Sequence, residues 1–300
     1  MNPGIIVVGD IVTDILAVHS GPIASDSDTA ARISLTGGGS AANTAVWIAG
    51  TGAAVDLVGV VGQDPAGGDR LAELTAAGVG VVHVRQSIQE PTGSVIVLVD
   101  AERRSMLCDR GANLLLVPSD VDSALAGAPA ARHLHLSGYT LFDGRSRPAG
   151  RHALSEAAAR GLTTSVDAAS AAPLYRAGGD TFLSWVRGTD VLLANLAEAR
   201  ALLGDPAGSP TELARALTPY AARVVVKLGE AGAVWAQADG VVDTVPAVRA
   251  AAVLDPTGAG DAFAAGLLTA WLAGGTAREC LQAGAELGAR AVATVGGRPA

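Results

Sequence analysis

The stretch Asp255-Pro256-Thr257-Gly258-Ala259-Gly260-Asp261 concentrates the residue types most able to do chemistry in this chain. It follows a β-branched, apolar approach from Val245 to Leu254 that reads as a strand, and opens a second apolar run, Ala262 to Ala273, that reads as a helix. A helix start leaves several backbone N–H groups without partners, and the helix dipole adds positive potential there, so the place suits an anion. Gly258, Ala259 and Gly260 carry almost no side chain, which lets a phosphate approach the backbone closely. Asp261 is a poor choice if the only task is to hold negative charge. It is a good one for taking a proton from a hydroxyl that attacks a phosphoryl group. The same residues also suit a plain glycine-rich turn with an Asp helix cap, and both readings stay open on the motif alone.

Four other places carry suitable residue types. Asn195-Leu196-Ala197-Glu198 lies where a buried strand, Val191 to Leu193, gives way to a helix, at the strand end where open α/β sheets bind ligands. Asn195 and Glu198 there can order the water shell of Mg²⁺ beside a nucleotide, or simply form a capping box. Lys227, the only lysine in the chain, ends another buried strand and is followed by Gly229 and Gly232. Those glycines allow the backbone to approach a nucleotide, or serve a tight turn between strands. Asp14 and Asn43 are short polar groups suited to sugar hydroxyls or to turn capping. The turn Gly37-Gly38-Gly39-Ser40-Ala41-Ala42 fits the dinucleotide fingerprint, so a NAD-dependent oxidoreductase is the rival from another class. The fit is poor in context, because no acidic residue follows ~20 positions on and the turn does not follow the first buried strand. His133 and His135 share one face of a strand without further ligands nearby, which reads as structural, and no P-loop sequence occurs.

These residues need a scaffold, and the apolar pattern describes one. Ile5 to Val8 is a short continuous apolar run of the kind found in central parallel strands. From Arg132 onward, strands at 132–136, 163–166, 191–193 and 224–228 alternate with helical stretches, the pattern of a parallel sheet covered on both faces. Short extended pieces at 32–35, 81–84, 94–99 and 105–107 lack intervening helices and suggest a small antiparallel sheet beside the main one. The fold class expected is α/β, a three-layer sandwich around a mostly parallel sheet with a small β lid. One domain over 1–300, with lid segments at about 15–36 and 79–112, is the simplest organisation.

Composition narrows the partners. The chain has 300 residues, 49% hydrophobic but only 3% aromatic, so its core must be built from Ala, Val and Leu. A net charge of −8 argues against a nucleic-acid or anionic-membrane surface. Cys108 and Cys280 make neither a disulfide framework nor a metal spacing, which suits a reducing cytosol. The N-terminus lacks the cationic region of a signal peptide, and the uncharged span 33–55 is broken by Gly37 to Ser40 and Asn43. A cytoplasmic protein with a small-molecule substrate and no membrane partner is expected.

Taken in order, the early Gly-rich turn with Asn43, the central Asn-x-x-Glu and the late Asp-x-x-Gly-Ala-Gly-Asp resemble the motifs of the PfkB (ribokinase-like) carbohydrate kinases. The resemblance covers nearly the whole chain. It implies an ATP-dependent phosphotransferase with Mg²⁺, in which Asp261 is the catalytic base and Gly258, Ala259 and Gly260 form the anion hole. It also implies that Asn195 and Glu198 organise Mg²⁺ and phosphates, the metal being reached from Glu198 through water. Lys227, Gly229 and Gly232 then belong to the nucleotide site, and Asp14, Gly38, Gly39, Ser40 and Asn43 to the phosphoryl-acceptor site. In K⁺-activated members Asp255 and the Thr257 carbonyl hold the monovalent cation, and a homodimer through the lid is compatible with the resemblance. Gly38-Gly39-Ser40 stands where ribokinases commonly read Gly-Gly-Lys, so the acceptor can be a sugar or, as in related nucleoside kinases, a nucleoside. The expected lid segments contain no aromatic residue to stack a base, which favours a sugar or sugar acid. A sugar sensor that transfers no phosphate is the remaining alternative, and the intact Asp261 speaks against it.

Overall fold

Hydrophobic alternation along the central strands decides how the layers assemble. In the computed structural model, which describes residues 4–99 and 104–299, Ile6 and Val8 point into one core while Ile5 and Val7 point into another. Thirteen strands are present among the described residues: β1 (Gly4–Val8), β2 (Val12–His19), β3 (Ala31–Gly38), β4 (Val55–Gly62), β5 (Val84–Ser87), β6 (Gly93–Val99) and β7 (Arg104–Asp109) in the first part. The later ones are β8 (Ala131–Ser137), β9 (Thr163–Asp167), β10 (Thr189–Asn195), β11 (Ala221–Lys227), β12 (Ala233–Gln237) and β13 (Val242–Val245).

Nine of these form one sheet in the order β13-β12-β11-β10-β9-β8-β1-β4-β5, parallel except at β12, which pairs antiparallel with both β11 and the edge strand β13. Helices cover both faces, because parallel strands must be joined by crossovers that pack back onto the sheet. One face is closed by helices that include 118–127, 147–159 and 210–217, the other by helices 40–49, 259–272 and 277–291. The core is built from Val, Leu, Ile and Ala, with few aromatics among the largest buried side chains, as a 3% aromatic content requires. Among the described residues no helix is long and apolar enough to cross a membrane.

A second sheet, β3-β2-β6-β7, stands beside the first. It is mixed and not antiparallel as expected, since β2 runs parallel to β6. The chain leaves β2 for β3, the 40–49 helix and two strands of the main sheet before returning, so β6 enters from the same end as β2. The extended piece expected near 81–84 in the lid is instead β5, which lies parallel to β4 in the main sheet, because helix 65–76 joins the two as a crossover. Residues 100–103 of the expected lid stretch 79–112 lie outside the described residues. Ile33, Leu35, Met106 and Leu107 of the small sheet are exposed.

The approach to the 255–261 motif also differs from expectation. β13 ends at Val245, and residues 246–258 form no strand. β13 is the outermost strand, whereas helix 259–272 packs over the middle of the sheet, so the chain must cross the carboxyl edge in between.

Candidate active site

Parallel strands put their carboxyl ends along one edge, and register decides which residues meet there. Ser137 of β8 pairs with Asp167 of β9, and Asn195 of β10 with Lys227 of β11. β1 ends beside them, placing Asp10 just past the strand. This is the edge at which an open α/β sheet binds ligands.

Asp261 meets this edge from above. The helix carrying it begins at Ala259, so Asp261 lies in the first turn and not ahead of the helix. Its two oxygens accept from Ser40 Oγ at 2.8 Å and from Asn43 Nδ2 at 3.1 Å. Enclosure of the carboxylate, helped by the negative charge of Asp167, raises its pKa to about 7, although Ser40, Asn43 and Lys227 pull the other way. Gly258 caps the helix with φ 73°, and a side chain there would collide with the backbone of Gly297. Among the described residues nothing accepts from the N–H groups of Gly260 and Asp261, which are left over at the helix start.

Lys227 closes the site from the sheet. Its Nζ lies 2.6 Å from Asp167 Oδ2, and a Cβ on Gly260 would stand 3.2 Å from it. Burial works against the charged ammonium, yet Asp167, Glu198 and Asp261 together push its pKa up, so it stays a cation. Glu198 is only 4% exposed, and burial together with Asp167 raises its pKa to about 7. Its capping box is real: Asn195 Oδ1 accepts from the Glu198 N–H at 2.9 Å, and Asn195 N and Nδ2 donate to the Glu198 carboxylate at 2.8 and 2.6 Å. The cap therefore holds the carboxylate beside Lys227 and Asp167, so capping and a role in the site are not exclusive. His133 and His135, pushed down to about 3 and about 4 chiefly by burial, remain neutral and bond Ser165 at 2.7 Å.

The other expected residues cluster around Asp261, with exceptions. The Gly37-Gly38-Gly39 turn is pressed by the Arg298 side chain, the Asp14 carboxylate and the Asp10 backbone in turn, and no position there has room for a Cβ. Asp14 thus packs on Gly38, two residues ahead of Ser40 in the chain. The turn follows β3 of the small sheet, not a strand of the main one, so it lies outside the βαβ unit of a parallel sheet that a dinucleotide fingerprint needs. Asp255 accepts from Thr257 N at 2.9 Å, from the Thr257 hydroxyl, and from Gly296 N at 3.0 Å, so it ties the motif to the C-terminal segment. Gly229 and Gly232 border the cluster in the β11–β12 turn, where Gly232 has φ 97° and presses on the Val245 carbonyl.

Four residues that motif reading missed complete the site. Asp167 ends β9 just as Asn195 ends β10, a position that strand-end reasoning alone can flag. Asp10 accepts from the N–H groups of Ser40 and Ala41 and from Ser137 Oγ. Arg298 donates to Asn43 Oδ1 at 3.0 Å, the Gly38 carbonyl at 3.1 Å and Glu73 at 3.3 Å. Arg110 stacks 4.7 Å above the Tyr139 ring centre. No local signal marks the last two, which reach the site from distant segments.

The pfkB family of carbohydrate kinases matches residues 2–300. An ATP-dependent ribose-1-phosphate kinase of Halopiger xanaduensis is 32% identical over 268 residues, covering 88% of this chain and 83% of its own length. A fructokinase of Klebsiella pneumoniae is 30% identical, covering 92% of this chain and 86% of its own. Among solved structures, the adenosine kinase of Sinorhizobium meliloti superposes with a TM-score of 0.84 at 25% identity, over 100% of this chain and 96% of that one.

Proposed function

This chain belongs to the pfkB family of carbohydrate kinases, and from that premise we propose that it transfers the γ-phosphoryl group of ATP to a hydroxyl of a sugar-like acceptor, with Asp261 as general base. The observation that carries the reading is the Asp261 carboxylate, raised to about 7 at a helix start and bonded by Ser40 and Asn43. A base whose pKa lies near neutrality is ionised often enough to act and basic enough to take a proton. Each carboxylate oxygen has two lone-pair directions, so an acceptor hydroxyl can bind Asp261 without displacing Ser40 or Asn43.

A phosphate group fits the anion hole by the structure's own features: two unfilled N–H groups, the positive end of the helix, and Lys227 Nζ above Gly260. ATP supplies the phosphoryl group, and Mg²⁺ neutralises its oxygens, when both are bound. The protein's share is electrostatic. The Gly258-Ala259-Gly260 turn brings the free N–H groups of Gly260 and Asp261 to the place where charge grows, and donors fixed beforehand need no reorganisation. Lys227 adds a positive charge that Asp167 holds in position. In this reading Asn195 and Glu198 order Mg²⁺-bound water, and Asp14, Gly38, Gly39 and Asn43 bind the acceptor. The Tyr139 face near Asp10 is covered by Arg110, which favours a sugar over a base-stacked nucleoside.

Two expected results test this reading. Activity with ATP should fall as pH drops through about 7, since the raised pKa means Asp261 takes up a proton there and stops acting as a base. Glu198 titrates in the same range beside the same Asp167, so the parent limb belongs to both groups and is steeper than one proton, while Glu198→Gln leaves a one-proton limb. A flat profile between pH 5.5 and 8 would remove Asp261 as the base. The second result concerns Mg²⁺: Glu198→Gln should need more Mg²⁺ for half-maximal activity, while its amide oxygen keeps the bond from Asn195 N and half of the cap. An unchanged Mg²⁺ requirement would leave Glu198 as a capping residue only, worth ~1 kcal/mol of stability.

A further inference from the structure

We infer that Arg110 is the anion-reading end of the acceptor cleft, so that the acceptor carries a carboxylate or a phosphate distant from the hydroxyl it presents to Asp261. The inference rests on the kinase reading above and narrows its substrate class.

Arg110 sits where β7 ends and the turn 111–115 begins, and its backbone is held firmly. Asn113 Nδ2 donates to the carbonyls of Arg110 and Ile11, both at 2.9 Å, and Asn113 Oδ1 accepts from Ile11 N at 2.8 Å. The small sheet is thereby tied to the main one at this point. The guanidinium lies over the Tyr139 ring, which fixes its plane.

What distinguishes Arg110 from its neighbours is its donors. Arg70 bonds Thr13, the Thr36 carbonyl and Glu73, and Arg298 bonds Asn43, Gly38 and Glu73. The Arg110 guanidinium makes no hydrogen bond among the described residues; the carboxylate oxygen paired with it, Asp10 Oδ2, is 3.8 Å away. Asp10 has its own donors in Ser40 N, Ala41 N and Ser137 Oγ, so it does not need the arginine. The Arg110 side chain keeps 25% of its surface exposed, which leaves its fork open to a ligand.

Ser40 links Arg110 to the base. Ser40 donates its N–H to Asp10, beside Arg110, and its hydroxyl to Asp261. Arg110 and the base therefore stand on the two sides of one residue. A planar fork of donors suits carboxylate and phosphate oxygens better than a neutral hydroxyl. A neutral sugar would leave the guanidinium to water and gain little from it.

The test is ADP release by the full-length chain with three acceptor sets. These are neutral ribose, fructose and adenosine; the phosphomonoesters ribose 1-phosphate, ribose 5-phosphate and fructose 1-phosphate; and the sugar acids gluconate and 2-keto-3-deoxygluconate. The highest kcat/KM is expected in the second or third set, and which of the two it is separates a phosphate from a carboxylate. Arg110→Gln should raise KM for that acceptor by ~10–100-fold, the worth of a hydrogen bond to a charged group, with the KM for ATP within about twofold. Arg110→Lys should recover part of the loss. A neutral sugar or adenosine as best acceptor overturns the inference and leaves the kinase reading standing. So does an unchanged KM in a folded Arg110→Gln protein. ADP release with none of the acceptors overturns both. The parent's own ranking decides the matter even if the variants do not fold.

Discussion

Asp261→Asn should lower turnover by ~10²–10⁴-fold with both substrates still bound, because the amide keeps the shape and cannot accept a proton. The site accommodates the change: one amide atom can accept from Asn43 Nδ2 while the other faces Ser40, whose hydroxyl can turn to accept. The measurement is turnover with the best acceptor, beside ATP binding by calorimetry. Retention of more than about a tenth of parental turnover would reduce Asp261 to a helix-start residue and end the general-base reading. Stability supplies an independent signature. The unfolded chain ionises this carboxyl above its ordinary value of 3.8, whereas the folded chain keeps the proton until about 7. The native state therefore loses stability as pH rises between those values, and the penalty is complete above 7. Asn does not titrate, so Asp261→Asn should melt above the parent at pH 8, with the gap closing as pH falls below 4. A base that lowers the stability of its own fold is a residue kept for chemistry.

Lys227→Met should cost ~10²–10³-fold in turnover, the range for removing one preorganised donor from a transition state. The methylene stem can still pack, but Asp167 loses its partner at 2.6 Å and Gly260 loses the cation above it. The pH profile separates this role from simple packing. Lys227 lowers the pKa of Asp261 and of Glu198, so its removal should move the acid limb of activity to higher pH. A limb that stays in place, with turnover near that of the parent, would mean that the ammonium only balances Asp167. Because Lys227 is the only lysine, an amine-reactive ATP analogue should label one side chain, and the label should vanish in Lys227→Met.

The C-terminal segment has a larger part in the site than its sequence suggests. Gly297 accepts from Trp47 Nε1 at 3.0 Å and packs against Gly258, Gly296 donates to Asp255, and Arg298 bonds Asn43 and Gly38. One short segment thus braces the helix start at Gly258 and the glycine turn at Gly38 together. Arg298 is held among Glu73, Asp14 and Asp261, and burial still pulls its pKa down to about 10, which leaves it charged at neutral pH.

Sequence alone determined the alternation of strands and helices, the place of the glycine-rich turns, and the identity of Asp261, Asn195, Glu198 and Lys227 as residues at element ends. Such features are local: periodicity, capping and turn chemistry act over a few residues, and they survive being read in isolation. It also described a small second sheet, but not that β2 lies parallel to β6 in it or that β5 joins the main sheet. Strand partners depend on the route of the chain between them, which no single segment records. Tertiary structure alone decided that helix 259–272 starts early enough to include Asp261, and that the helix is reached by a loop crossing the sheet edge. It alone brought Asp167 and Arg298 to Asp261, and Asp10 and Arg110 to the other side of Ser40, from segments up to 260 positions from their partners. Their side chains are ordinary in their own surroundings. They become part of a site only where the sheet order and the packing of two layers gather their charges around one cleft.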